Sequence, residues 1–164
     1  MTNSPSGIES YLSFRLNDEL FAVNVAHVLE IMGIPPITKV PKAPKSLTGV
    51  TNLRGTVLPV IDTRIKFGLQ KTEFNIDTCI IVFKIQMDND QITIGALVDS
   101  VQEVLEISEE ELLPPPSIGS KYKSELIKGM YKNNENFIML LNIDHVFSSD
   151  ELLIIKDTVS EPAN

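Results

Sequence analysis

The side chains with chemical potential in this sequence are two histidines, one cysteine and three aspartates that each follow an apolar residue. They are His27, His145, Cys79, Asp62, Asp99 and Asp144. Nucleophilic catalysis needs a Ser, Cys or Thr beside a base, and a bound metal needs His, Cys or carboxylate ligands at short recurring spacings. Neither pattern occurs. His27 lies in a short segment between strand-like runs and His145 directly follows Asp144; both read as surface or satisfied side chains. Cys79, within TCIIVFKI, reads as a small buried thiol. The aspartates read as acceptors for the chain that turns after each of them; their convergence in a ligand pocket is the alternative. The glycines are dispersed, so no phosphate-binding loop is present. No catalytic residue, metal or cofactor is expected.

A different chemistry is offered by VTNLRGTVLPVID, residues 50–62. Two apolar runs meet at Asn52-Leu53-Arg54-Gly55, where a plain hairpin would carry small polar residues. Arg54 brings a rigid fork of five donors suited to a carboxylate or to carbonyl oxygens. Two readings stand for it, a contact for another protein or an internal salt bridge to Glu30 or Asp62. Leu53 either anchors a partner by area or folds back onto its own sheet. The segment KVPKAPK is the one basic cluster in an acidic chain. Its prolines pre-order the loop, which lowers the entropy lost on docking. Lys39, Lys42 and Lys45 serve either that purpose or solubility alone.

These groups must be held by short strands. YLSFRL, NDE and LFAVNV make a hairpin, and VLEIM is a further strand. The four prolines of GIPPITKVPKAPK exclude a regular helix or a central strand. TRIKFGL is one helical turn closed by Gly68. TCIIVFKIQM, DND and QITIGALVDSV form a second hairpin, QEVLEI follows, and SEEEL is a solvated face or helix start. After a second proline block, LIKGMY and NFIMLLNID are the last strands. HVFSSDELLIIKD suggests a C-terminal helix capped by Ser148 or Ser149.

The same series runs twice: hairpin, VLEI, prolines, a glycine, a strand, ID. Gly49 corresponds to Gly129 and Asp62 to Asp144, offsets of 80 and 82 residues. Two halves of about five short strands each predict two small β-barrels packed together, which leaves no long open edge. At the second tip stands Lys132-Asn133-Asn134-Glu135-Asn136, ordinary turn chemistry. The barrel therefore does not require Leu53 and Arg54, and the interface reading of Arg54 is preferred. Glu30 has a counterpart in Glu106, so its retention is compatible with a structural role.

The totals exclude several classes. The chain has 164 residues, 43% apolar, enough for a real core. A net charge of −8 argues against nucleic-acid binding and against an anionic membrane surface. No apolar stretch is long enough to cross a bilayer, and MTNSPSGIES lacks the pattern of a secretory signal. A single cysteine rules out an internal disulfide and fits a reducing cytoplasm.

The order LSFRLNDELFAVNVAHVLEI, ITKVPKAP, LTGVTNLRGTVLPVIDTRIKFG, GALVDSVQEVLEI, IKGMYK and IMLLNIDHVFSSDE closely resembles the CheW family of bacterial chemotaxis coupling proteins, from about Tyr11 to Glu151. The resemblance implies a mainly β, non-enzymatic scaffold of two intertwined five-stranded SH3-like barrels. The first barrel would span about residues 11–72 and the second about 73–147, with a flexible tail at 1–10 and a helix end and tail at 152–164. It implies a cytoplasmic adaptor, recruited to membrane receptor arrays, that joins the helical-hairpin tip of chemoreceptors to the regulatory domain of the histidine kinase CheA. Contacts between copies in a ring are left open, as is service in another receptor–kinase pathway such as surface motility. Carried over by motif, the receptor groove is formed by Val28, Glu30, Asn52, Leu53, Arg54, Gly55, Val98 and Val101. The kinase-facing loop maps onto Lys39, Val40, Pro41, Lys42, Pro44 and Leu47. Two departures from the family pattern are Asn17, where a Gly is usual in the first turn, and Met32, where an Arg is common after LEI.

Overall fold

A computed structural model describes residues 7–87, 90–115 and 126–147. The first half contributes β1 (Ile8–Leu16), β2 (Glu19–Asn24), β3 (Val28–Met32), β4 (Leu47–Leu53), β5 (Thr56–Asp62) and one helical turn, α1 (Thr63–Lys66). The second contributes β6 (Cys79–Met87), β7 (Asp90–Val98), β8 (Ser100–Ser108), β9 (Leu112–Leu113), β10 (Ile127–Asn133), β11 (Asn136–Leu141) and α2 (Ile143–Val146). The acidic run forms a 3-10 turn, Glu109–Glu111, closed by a reciprocal Ser108–Glu111 capping box.

The strands make two sheets, ordered β8-β1-β2-β11-β10-β9 and β3-β6-β7-β5-β4. Each is built on the hairpin of one half and flanked by strands of the other half. β2 and β11 run parallel, as do β5 and β7. A cut near residue 72 therefore separates neither sheet from the other. The architecture is mainly β, two SH3-like units packed face to face.

The long apolar runs follow from this exchange. A strand with one wet face alternates, whereas one covered on both faces is apolar throughout. In β6, Ile81, Phe83 and Ile85 enter a core shared by the two sheets, with Phe14, Leu16 and Phe21 of β1–β2. The alternate residues Ile80 and Val82 line a smaller core inside the five-stranded sheet with Leu58 and Leu97. Tyr11, Ala22, Ile107 and Leu140 fill its counterpart inside the six-stranded sheet.

The repeat has a steric signature at Gly49 and Gly129, where another segment crosses the strand. A Cβ on Gly49 would lie 2.3 Å from the carbonyl oxygen of Thr38, and one on Gly129 3.0 Å from that of Leu113. The first crossing is a bridge of two hydrogen bonds between Thr38 and Val50, each 2.8 Å.

Three sequence expectations are corrected. The N-terminal tail does not extend to residue 10, because β1 begins at Ile8 and Ile8, Glu9 and Ser10 pair with β8. The partner of Asp62 in the repeat is Asn142, not Asp144. Asp62 and Asn142 occupy the N-cap positions of α1 and α2, whereas Asp144 lies within the first turn of α2. Cys79 is half-buried, not wholly enclosed. The expected C-terminal helix with its Ser148 or Ser149 cap, and most of the second proline block, lie outside the described residues.

Candidate docking site

The β4–β5 turn has two residues, Arg54 and Gly55, with φ of +50° and +84°. Both positive values mark the tight hairpin turn whose twist matches the strands. Asn52 and Leu53 are the last residues of β4, so the tip is shorter than the sequence suggests. The Asn52 Oδ1 accepts from the Gly55 N–H at 2.7 Å and holds the corner. At the mate turn the left-handed residue is Asn134, and in the β1–β2 turn it is Asn17. Asn adopts this conformation readily, whereas Arg pays roughly 1 kcal/mol. The turn is thus not the reason for the arginine.

Arg54 reaches Glu30 of β3 and forms an ion pair. Because β3 and β4 are the two outer strands of the five-stranded sheet, the pair ties its edges together at one end. The hydrogen bond from Arg54 holds the Glu30 carboxyl below the usual carboxylate range, and the same bond raises Arg54. Of the two internal partners open to Arg54, Asp62 is excluded. It is buried and accepts from the Thr72 N–H at 2.9 Å, the Thr72 hydroxyl at 2.7 Å and the Arg64 N–H at 3.1 Å. The guanidinium is neutralised but not enclosed: the Arg54 side chain is 71% exposed and that of Glu30 30%. The internal reading of Arg54 therefore holds, with Glu30 as its partner, and an exposed pair in water is weakly bound.

The remaining residues of the candidate receptor groove divide by burial. Val28 and Val101 lie half-buried against the shared core, each just after a point where the chain passes between the sheets. Leu53 packs back onto the core inside the five-stranded sheet. Val98 is fully buried in the shared core, so its side chain presents nothing at the surface. It leaves the candidate set because β7 is covered on both faces.

In the candidate kinase-facing loop, Lys39, Pro41 and Lys42 are exposed, whereas Val40 packs on the shared core and Leu47 is buried. Lys39, Val40, Pro44 and Leu47 border an open hollow of about 700 Å³ that Ile65 and Phe74 also line.

The aspartates do not assemble a catalytic pair. The backbone N–H of Arg64 goes to Asp62 and its guanidinium goes to Asp99, so each carboxylate is engaged by a different donor. No group of three or more His, Cys, Asp or Glu among the described residues is placed to hold a metal. Burial pushes the Cys79 thiol up, which disfavours the reactive thiolate. Sequence reasoning missed that His27 and His145 border one small polar hollow with Tyr11 and Lys128. It also missed the Arg64–Asp99 pair; an arginine in the helical turn directly after Asp62 was its only signal.

The site is thus an exposed ion pair spanning the two outer strands of the five-stranded sheet. The chain belongs to the family described as the CheW-like domain, which matches residues 10–151. This is a family of non-enzymatic adaptors. The chain is 34% identical over 155 residues to the chemotaxis protein CheW of Rhizobium meliloti, covering 92% of this chain and 97% of that one. It is 29% identical to the protein FrzA of Myxococcus xanthus, covering 86% of each. Among solved structures, the scaffolding protein TtCheW of Thermoanaerobacter tengcongensis matches with a TM-score of 0.75 at 30% identity, over 85% of this chain and 92% of that one.

Proposed function

We propose that this chain is a chemotaxis adaptor that couples transmembrane chemoreceptors to the histidine kinase CheA. The receptor's helical hairpin docks on the surface of Val28, Glu30, Arg54 and Val101, and the kinase regulatory domain on the loop of Lys39, Pro41 and Lys42. The observation that carries this reading is Arg54 itself: strained, exposed, and replaced by asparagine at the mate turn. A partner's carboxylate displaces Glu30 with little loss, because the starting pair stands in water. Holding receptor and kinase on one frame makes their encounter effectively intramolecular. Kinase control then follows if the bound frame favours one arrangement of the two over another.

The adaptor works in the cytoplasm and is drawn to the membrane by its receptors. In keeping with this, the only cysteine is free, and no helix among the described residues is long and apolar enough to cross a membrane. The likeness to FrzA favours a second reading, the same scaffold wired to a different receptor–kinase pathway. Pull-down partners separate the two.

The test is co-purification with a receptor cytoplasmic fragment and a kinase regulatory domain, wild type against Arg54→Glu. The variant loses the receptor fragment and receptor-dependent kinase control, while its melting temperature stays within a few degrees, as for most surface changes. Normal coupling by Arg54→Glu refutes the placement of the receptor.

A further inference from the structure

Asp99 is the single residue between β7 and β8, where the chain leaves the five-stranded sheet for the six-stranded one. Its Oδ1 accepts from Arg64 Nε at 2.8 Å, and its Oδ2 from Arg64 Nε at 3.1 Å and Nη2 at 2.5 Å. Its Oδ2 also accepts from the backbone N–H of Asn17 at 2.7 Å, at the left-handed tip of the β1–β2 hairpin. The Asp99 N–H donates to the Arg15 carbonyl at 3.1 Å. One carboxylate thus ties α1, next to the five-stranded sheet, to the hairpin tip of the six-stranded sheet, at the crossover itself. The two side chains are 20% and 14% exposed, far less than the Arg54–Glu30 pair. A forked, charge-assisted pair so shielded is a firm geometric constraint.

The other crossover, Val25–His27, is built differently. Counting from the N-caps Asp62 and Asn142, the place of Arg64 is taken in α2 by Asp144, an acid. There the Asn24 Oδ1 merely accepts from the Ala26 N–H within its own turn, at 2.8 Å. The frame therefore crosses between sheets once without such a clasp.

What the clasped crossover delivers is Val101. Pairing of β8 with β1 resumes immediately after Asp99, Ser100 opposite Arg15 and Val101 opposite Phe14. Val101 is left half-buried against the shared core, two residues from the clasp. We propose that Arg64 and Asp99 are positioning residues for receptor docking, holding the crossover so that Val101 is presented at a fixed place. This rests on the adaptor reading.

The experiment compares wild type with Asp99→Asn, Arg64→Gln and Arg64→Lys. Asp99→Asn retains an acceptor for the Asn17 amide while removing the charge, and Arg64→Lys keeps the charge but loses the fork. Amide hydrogen exchange is read at Ser100 and Val101, and affinities are measured for a receptor cytoplasmic fragment and a kinase regulatory domain. Asp99→Asn and Arg64→Gln accelerate exchange at Val101 about tenfold and weaken the receptor fragment about five- to tenfold, with kinase-domain affinity held within about twofold. Arg64→Lys falls between these and wild type. Unchanged exchange at Val101, faster exchange with unchanged receptor affinity, or equal weakening of both partners each overturns the proposal. Failure of the wild-type chain to bind the receptor fragment overturns the adaptor reading itself, a result distinct from tight binding that the variants leave untouched.

Discussion

Replacing Gly49 with Ala tests the crossing that holds the candidate kinase-facing loop. The added methyl would lie 2.3 Å from the Thr38 carbonyl oxygen and 2.7 Å from the Ile37 Cγ2. Ordinary contact requires the crossing strand to retreat by about 1 Å, which breaks both Thr38–Val50 hydrogen bonds, now 2.8 Å long. Each lost bond costs about 1 kcal/mol, and residual overpacking about 1–3 kcal/mol more. The sum, about 3–5 kcal/mol, lowers the melting temperature by roughly 10–15 °C in a domain of this size. Gly129→Ala is the internal control. Its methyl would lie 3.0 Å from the Leu113 oxygen, so a shift of a few tenths of an ångström suffices, and the cost is about 1 kcal/mol. Urea unfolding followed by circular dichroism measures both, with the slope checking that the transition keeps its size. If Gly49→Ala is no worse than Gly129→Ala, the steric account of the crossing is wrong.

Two further outcomes follow from titrating groups. Arg54 depresses the Glu30 carboxyl below its ordinary 4.5, so the pair's small contribution is present above that value and fades as pH falls through the lowered one. The urea midpoints of wild type and Glu30→Gln therefore differ slightly at neutral pH and converge in acid; a constant gap across that range refutes the pairing. Burial raises the Cys79 thiol above its ordinary 9.0. At neutral pH, iodoacetamide alkylates the folded chain more slowly than the urea-unfolded chain, and equal rates refute the assignment.

The hairpins were readable because their signals are local: alternation, a polar turn, alternation again. Asn17 sits left-handed at the first turn, and Asp62 accepts from the chain that turns after it. The glycine pair was readable as part of the repeat, whereas the close approach that each permits comes from a segment distant in the chain. The mispairing of Asp62 with Asp144 shows the limit of pattern. The repeated letters ID agree, but the cap position belongs to Asn142, two residues earlier. Val98 was misplaced because a strand covered on both faces leaves no polar alternation to say which side chain faces out.

By itself the sequence determined two matched sets of short strands, their turns, the basic proline-bordered loop, and an arginine that turn-making does not explain. Only the tertiary structure decided that each hairpin takes its flanking strands from the opposite half, since any apolar strand edge satisfies another equally well until the whole chain closes. It also decided that Arg54 meets Glu30 while Arg64 meets Asp99. Those partners lie 24 and 35 residues apart, and an ion pair depends on where two charges end in space, a quantity that no spacing along a β-rich chain encodes.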